Sequence, residues 1–159
     1  MKVWRIATEN KKYQATDLSG FGAKFAPGRW NELGLPVIYT ASTPSLAMLE
    51  TTAHVDHNDL PQLKYLISIE IPAADWKQRR QLLSKQLPAG WDSIPHENIT
   101  VAIGSDWLRG CSSLVLTVPS AITPEETVIL INPAHSKASK LKATKIRAVD
   151  YKTVLRSTK

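Results

Sequence analysis

Hydrophobic positions fall at every second residue from Leu63 through Tyr65, Ile67 and Ile69 to Ile71, a period that predicts a strand, and Pro72 stops it. Shorter apolar runs predict strands over residues 3–7, 37–40, 113–118 and 127–131, the last two flanking a turn from Pro119 to Pro124. Ser42 and Thr43 followed by Pro44 supply a cap and a first-turn proline, which opens a helix over residues 44–55. A polar helix is expected over 76–87, ending at Pro88, whereas 98–108 fits a helix or a strand. The C-terminal part alternates weakly at Ile146, Ala148 and Tyr151 and adds an edge strand. Residues 8–36 have almost no period, yet they carry Phe21, Phe25 and Trp30 among glycines. So long an aperiodic stretch with aromatic content reads as a folded, functional loop. No repeat or linker divides the chain, and strands mix with helices without a βαβ rhythm. The expectation is a single compact α+β domain over residues 1–159.

Composition sharpens this picture. A chain of 159 residues with 43% hydrophobic and 21% charged side chains has the balance of a globular domain rather than a disordered one. The net charge of +6 invites an anionic partner. Its placement argues otherwise: residues 136–159 hold eight basic side chains against one acid, Asp150, and residues 1–135 hold 12 basic against 13 acidic. The body is neutral and the excess is a basic C-terminal segment. No RNP, KH or helix-turn-helix pattern accompanies it, so a nucleic-acid-binding module is the more distant alternative, and sequence-specific nucleic-acid binding is not expected. A lone Cys111 permits no internal disulfide and reads as a small buried residue. The N-terminus lacks a signal-peptide core and no run is long enough to span a bilayer, so a cytoplasmic protein without membrane contact is expected.

Several residues stand out against their setting. Glu50 falls within a helical stripe with Leu46, Leu49 and Ala53, where a carboxylate either snorkels to water or opens onto a pocket. Arg29 sits between Gly28 and Trp30, a loop arginine whose planar fork suits phosphate or carboxylate. Arg5 puts a charge inside a short apolar strand, on its solvent face or in a cleft. Ser120, directly after a strand, either donates at a site or forms the turn, and no G-x-S-x-G elbow makes it a hydrolase nucleophile. His54 and His57 share a helical face but lack a third ligand, so no metal site is expected. Of five tryptophans, Trp30, Trp91 and Trp107 either wall a planar pocket or anchor loops, and anchoring is preferred for Trp76 and Trp107.

Together these pieces resemble the RES domain family, the toxin half of RES–Xre toxin–antitoxin systems in bacteria. The opening block runs from Leu18-Ser19-Gly20 through Gly28-Arg29-Trp30-Asn31 to Gly34-Leu35-Pro36-Val37-Ile38-Tyr39-Thr40-Ala41. Ser45-Leu46-Ala47-Met48-Leu49-Glu50 is similar to the family's glutamate helix. Leu87-Pro88-Ala89-Gly90-Trp91 and Gly104-Ser105-Asp106-Trp107-Leu108 resemble two middle signatures. Val118-Pro119-Ser120-Ala121 and Leu130-Ile131-Asn132-Pro133-Ala134-His135 are similar to the closing ones. Pro27 departs from the pattern, standing where the family often has a second glycine.

The resemblance implies an ADP-ribosyltransferase-like mixed sheet with flanking helices, and an enzyme that uses NAD+ as substrate with no cofactor. It implies Arg29, Tyr39, Glu50 and Ser120 as the active centre, with Arg5, Gly28, Trp30 and Asn31 binding substrate. Cleaving the nicotinamide–ribose bond builds positive charge on the ribose, which an anionic Glu50 would stabilise. Water or phosphate as acceptor depletes NAD+, the favoured reading; a protein side chain as acceptor makes a mono-ADP-ribosyltransferase, the alternative. The resemblance also implies an Xre-like antitoxin with a DNA-binding domain and a higher-order toxin–antitoxin complex.

Overall fold

The computed structural model describes residues 1–11, 13–53 and 63–150. Its strands are β1 (Lys2–Thr8), β2 (Ile38–Ala41), β3 (Lys64–Glu70), β4 (Arg80–Gln81), β5 (Val115–Pro119), β6 (Thr127–Ile131) and β7 (Lys142–Val149). Four α-helices accompany them among the described residues: α1 (Phe21–Phe25), α2 (Pro44–Thr52), α3 (Ala73–Lys77) and α4 (Asn98–Gly110). The strands join one mixed sheet in the order β4-β5-β6-β2-β1-β3-β7, which is the expected α+β architecture. No helix among the described residues is long and apolar enough to cross a membrane.

Both faces of the sheet are covered, and this explains why β5 and β6 read as continuous apolar runs rather than alternating ones. Ile38, Ile67, Ile69, Ile129 and Ile131 point to one core, with Trp76 packed against it. Leu116, Val118, Val128 and Leu130 point to the other, beneath Leu46 and Ala47 of α2 and Trp107 and Leu108 of α4. Thr43 caps α2 as its sequence suggests, its side chain accepting from Leu46 N at 3.1 Å. The ambiguous stretch at 98–108 is helical, and α4 ends at Cys111, which adopts a left-handed backbone conformation (φ 45°).

Three expectations need correction. Residues 76–87 do not form a helix: α3 ends at Lys77, and Arg80–Gln81 pair in parallel with Leu116–Thr117 of β5. Leu82 N continues this ladder to Thr117 O at 2.9 Å. The unsatisfied edge of β5 outweighs the helical preference of a polar run. Cys111 is exposed rather than buried, because its place at the helix end turns it outward. Leu49 is 43% exposed, so the buried side of α2 is carried by Leu46 and Ala47. The predicted end of this helix at Val55, the pair His54 and His57, and Tyr151 lie outside the described residues.

The basic C-terminal segment is partly structural. It supplies β7, which pairs antiparallel with β3, and Lys145 meets the Glu9 carboxylate at 2.6 Å while lying over the Tyr65 ring. Lys137 bridges the buried Asp75 at 2.9 Å.

One irregularity of the sheet prepares the site. β1 pairs with β3 along its whole length, from Lys2↔Glu70 to Thr8↔Lys64, but meets β2 in register only at Trp4↔Ala41. Beyond that point the two strands part. The sheet is split.

Candidate active site

A cleft of about 470 Å³ lies along this split. β1 contributes Trp4, Arg5 and Ile6, β2 contributes Tyr39, Thr40 and Ala41, and α2 contributes Ala47, Glu50 and Thr51. Pro27 and Gly28 close it from the loop before β2.

Glu50 and Ser120, 70 residues apart in sequence, meet at this cleft. Ser120 is fully buried at the end of β5, and its Oγ donates to Glu50 Oε1 at 2.6 Å. The same oxygen accepts from Ile122 N and Thr123 N, both at 3.1 Å. Those two donors occupy the hydroxyl's lone pairs, so its single proton is directed at the carboxylate. Ser120 therefore forms the turn and orients Glu50 with the same hydroxyl.

Tyr39 is fixed just as firmly. Its hydroxyl donates to Asn31 Oδ1 at 2.8 Å and accepts from Trp30 N at 3.0 Å. Asn31 Oδ1 also accepts from Gly28 N at 2.9 Å, and Asn31 Nδ2 donates to Ala23 O and Leu35 O. Gly28 is required by this packing: a Cβ there would stand 2.9 Å from the Tyr39 hydroxyl. Burial pushes the Tyr39 phenol up, opposed by the Trp30 N–H and by Arg29. The phenol is thus a donor, not a base, at neutral pH. Tyr39→Phe is expected to cost about 1–3 kcal/mol, because it leaves the Trp30 N–H unpaired and removes one of the two donors to Asn31 Oδ1. A phenol whose pKa rises on folding stabilises fully below its unfolded value near 10 and loses that contribution as pH climbs further. Denaturant unfolding above about pH 10 should therefore show a steeper fall for the native protein than for Tyr39→Phe.

The two arginines divide. Arg5 lines the cleft, with Nη1 donating to Asp17 O at 3.3 Å. Burial lowers its pKa and the Asp17 charge counters this. Arg29 spends its fork on the backbone: Nη1 donates to Trp91 O at 2.7 Å and Nη2 to Ser93 O at 3.0 Å. Burial lowers its pKa too, while Glu50 and Asp92 pull it back, so its charge lies within the field of the Glu50 carboxylate.

Two expected substrate contacts sit behind the wall instead. Trp30 and Asn31 are 3% and 0% exposed; they shape the loop that carries Gly28 and Arg29. α4 holds that loop from below. Gly104 lets the Trp30 backbone come into direct contact, Ser105 Oγ accepts from Glu32 N at 3.0 Å, and Arg109 pairs with Glu32. Trp107, 1% exposed, donates from Nε1 to Ser113 Oγ, and Asn132 donates to Leu108 O. Trp91 is likewise buried, so Trp30, Trp91 and Trp107 are anchors. Sequence reasoning missed Trp4 as the aromatic wall of the cleft. Its signal was present: it alternates with the buried Val3 and shares a strand face with Ile6.

Similarity to known proteins extends over nearly the whole chain. The family model described as RES domain matches residues 2–153. A protein of Sphingobium sp. (strain YBL2) named Prs ADP-ribosylating toxin is 45% identical over 144 residues, which is 91% of this chain and 89% of that one. Two proteins named Toxin Res are also similar. The one from Pseudomonas putida is 39% identical over 95% of each chain, and the one from Yersinia enterocolitica is 40% identical over 85% of this chain and 86% of its own.

Proposed function

The chain belongs to the RES domain family, and on that premise we propose that it is a toxin enzyme cleaving the nicotinamide–ribose bond of NAD+. The observation that carries this reading is a carboxylate, Glu50, oriented by a buried serine in a cleft bordered by an arginine. In the reaction, the bond from C1′ of the ribose to the nicotinamide nitrogen breaks. Its electron pair leaves with nicotinamide, and positive charge spreads over C1′ and the ring oxygen. Glu50 stabilises that charge through space, and Ser120 keeps the carboxylate from turning away. Arg5 meets the pyrophosphate, while Tyr39 and Gly28 form the wall against which the nucleoside rests. The acceptor adds to C1′ and releases its proton.

Water or inorganic phosphate as acceptor depletes NAD+. A second reading, transfer of ADP-ribose to a protein side chain, is favoured by the name of the Sphingobium relative. The other relatives are named as toxins, which supports a toxin–antitoxin pairing; on our reading its other half is an Xre-like antitoxin with a DNA-binding domain that restrains this chain in a larger complex.

Purified protein incubated with NAD+ should release nicotinamide, and phosphate dependence separates phosphorolysis from hydrolysis. Labelled NAD+ with a cell extract should mark a protein band if the second reading holds. Absence of both nicotinamide release and labelled product overturns the proposal. Arg29→Ala is expected to lower kcat/KM for NAD+ by about tenfold or more, through release of the 91–93 turn and loss of charge beside Glu50. Arg29→Lys should not restore it, because one ammonium lacks the fork that spans two carbonyls.

A further inference from the structure

α1 buries none of its five residues, yet it carries Phe21 and Phe25 one helical turn apart. These rings and that of Tyr13 form an exposed row: Tyr13 is 44% exposed, Phe21 39% and Phe25 62%. Ring centroids are 5.9 Å apart for Tyr13 and Phe21 and 4.6 Å for Phe21 and Phe25. Core packing does not account for three adjacent aromatics held at the surface, and clusters of this kind mark binding sites.

The row lines a groove together with Gln14 and Gly22. The groove adjoins the Glu50 cleft, since Arg5 and Ile6 border both. A smaller hollow lined by Asp17, Phe21 and Tyr39 also touches Arg5. Arg5 is therefore the junction of a carboxylate-bearing cleft and an aromatic-lined groove. A ligand with a pyrophosphate in its middle and a ring at each end has the matching order of chemistries.

We propose that the groove of Tyr13, Phe21 and Phe25 is the subsite for the adenine ring of NAD+, with Arg5 beneath the pyrophosphate and the Glu50 cleft taking the nicotinamide ribose. This rests on the NAD+ reading above and assigns the other half of the dinucleotide. Purines stack on aromatic faces, and a groove open along one side accepts the ring without deep burial. An apolar peptide would also suit exposed rings, but it would have no use for a cation at the inner end of the groove.

The test uses ADP, which carries the adenine half and no scissile bond. The native protein and Glu50→Gln are expected to bind ADP alike by calorimetry. Phe21→Ala/Phe25→Ala should weaken ADP binding at least about tenfold, equivalent to ~1.4 kcal/mol. Phe25→Trp should retain it. The ratio of kcat/KM for NAD+ to that for nicotinamide mononucleotide, which lacks adenine, should fall about tenfold in the double alanine variant. A structural role would lower both values together and leave the ratio fixed. Undiminished ADP binding in the double variant, or none in the native protein, overturns the subsite and leaves the groove to a peptide. If ADP binding depends on the rings but neither substrate releases nicotinamide, the cleavage reading falls and the adenine subsite stands.

Discussion

Glu50→Gln is expected to lower NAD+ turnover by about 10²–10³-fold while leaving the fold intact. The exchange is nearly isosteric. The glutamine amide would keep a carbonyl oxygen to accept from Ser120 Oγ, so the Ser120 turn with its bonds from Ile122 and Thr123 stays satisfied. What disappears is the negative charge, and charge is what the oxocarbenium-like state requires. In a partly desolvated cleft its removal is felt mainly in kcat, because the nicotinamide ribose gains most of its positive charge only in the transition state. Nicotinamide release and circular-dichroism melting, measured side by side, check this. Full turnover, or loss of activity only with unfolding, would refute the assigned role.

Gly104→Ala is expected to be the most damaging small substitution for stability. The added methyl would have to occupy the space of the Trp30 carbonyl, with the Trp30 Cβ itself 2.9 Å away. Neither is the far end of a flexible chain, so α4 must move away from the loop. Overpacking of this kind costs about 3 kcal/mol or more, which in a chain of this size lowers the melting temperature by roughly 6–12 °C. The displacement also disturbs Ser105 against Glu32 and, through Trp30, the Tyr39 hydroxyl. Activity should therefore fall with stability. An unchanged melting temperature would show that helix and loop are not locked at this point.

Much of this arrangement is legible in the residues. Thr43-Pro44 places α2, the alternation from Leu63 to Ile71 places β3, and a charge on an otherwise apolar helix marks Glu50. Local rules reach these features because their causes are local. Residues 76–87 escape such rules because their structure is decided by the open edge of β5, which lies more than thirty residues away in the chain. Trp30 and Asn31 suggest substrate contacts because a glycine-flanked loop with an aromatic fits a ligand as well as a core. Only the position of α4 decides between them. Arg29 looks like an anion ligand for a similar reason: its fork matches two backbone carbonyls as readily as two phosphate oxygens.

The split between β1 and β2 also bears on how the molecule is made. β2 is completed by β6, with Tyr39 opposite Leu130, and β3 by β7, with Lys64 opposite Val149. β2 on one side of the cleft, and β3 behind β1 on the other, thus wait for partners that leave the ribosome roughly seventy to ninety residues later. Glu50 waits nearly as long for Ser120. Pairing across such separations is slow, and it cannot begin before the distant strands exist. A nascent chain that ends within α4 holds the carboxylate without the serine that aims it, and one wall of the cleft without the strand that supports it. The centre is among the last things the chain completes. For a protein that would attack the dinucleotide pool of the cell that produces it, the order of synthesis is itself a delay before the first turnover.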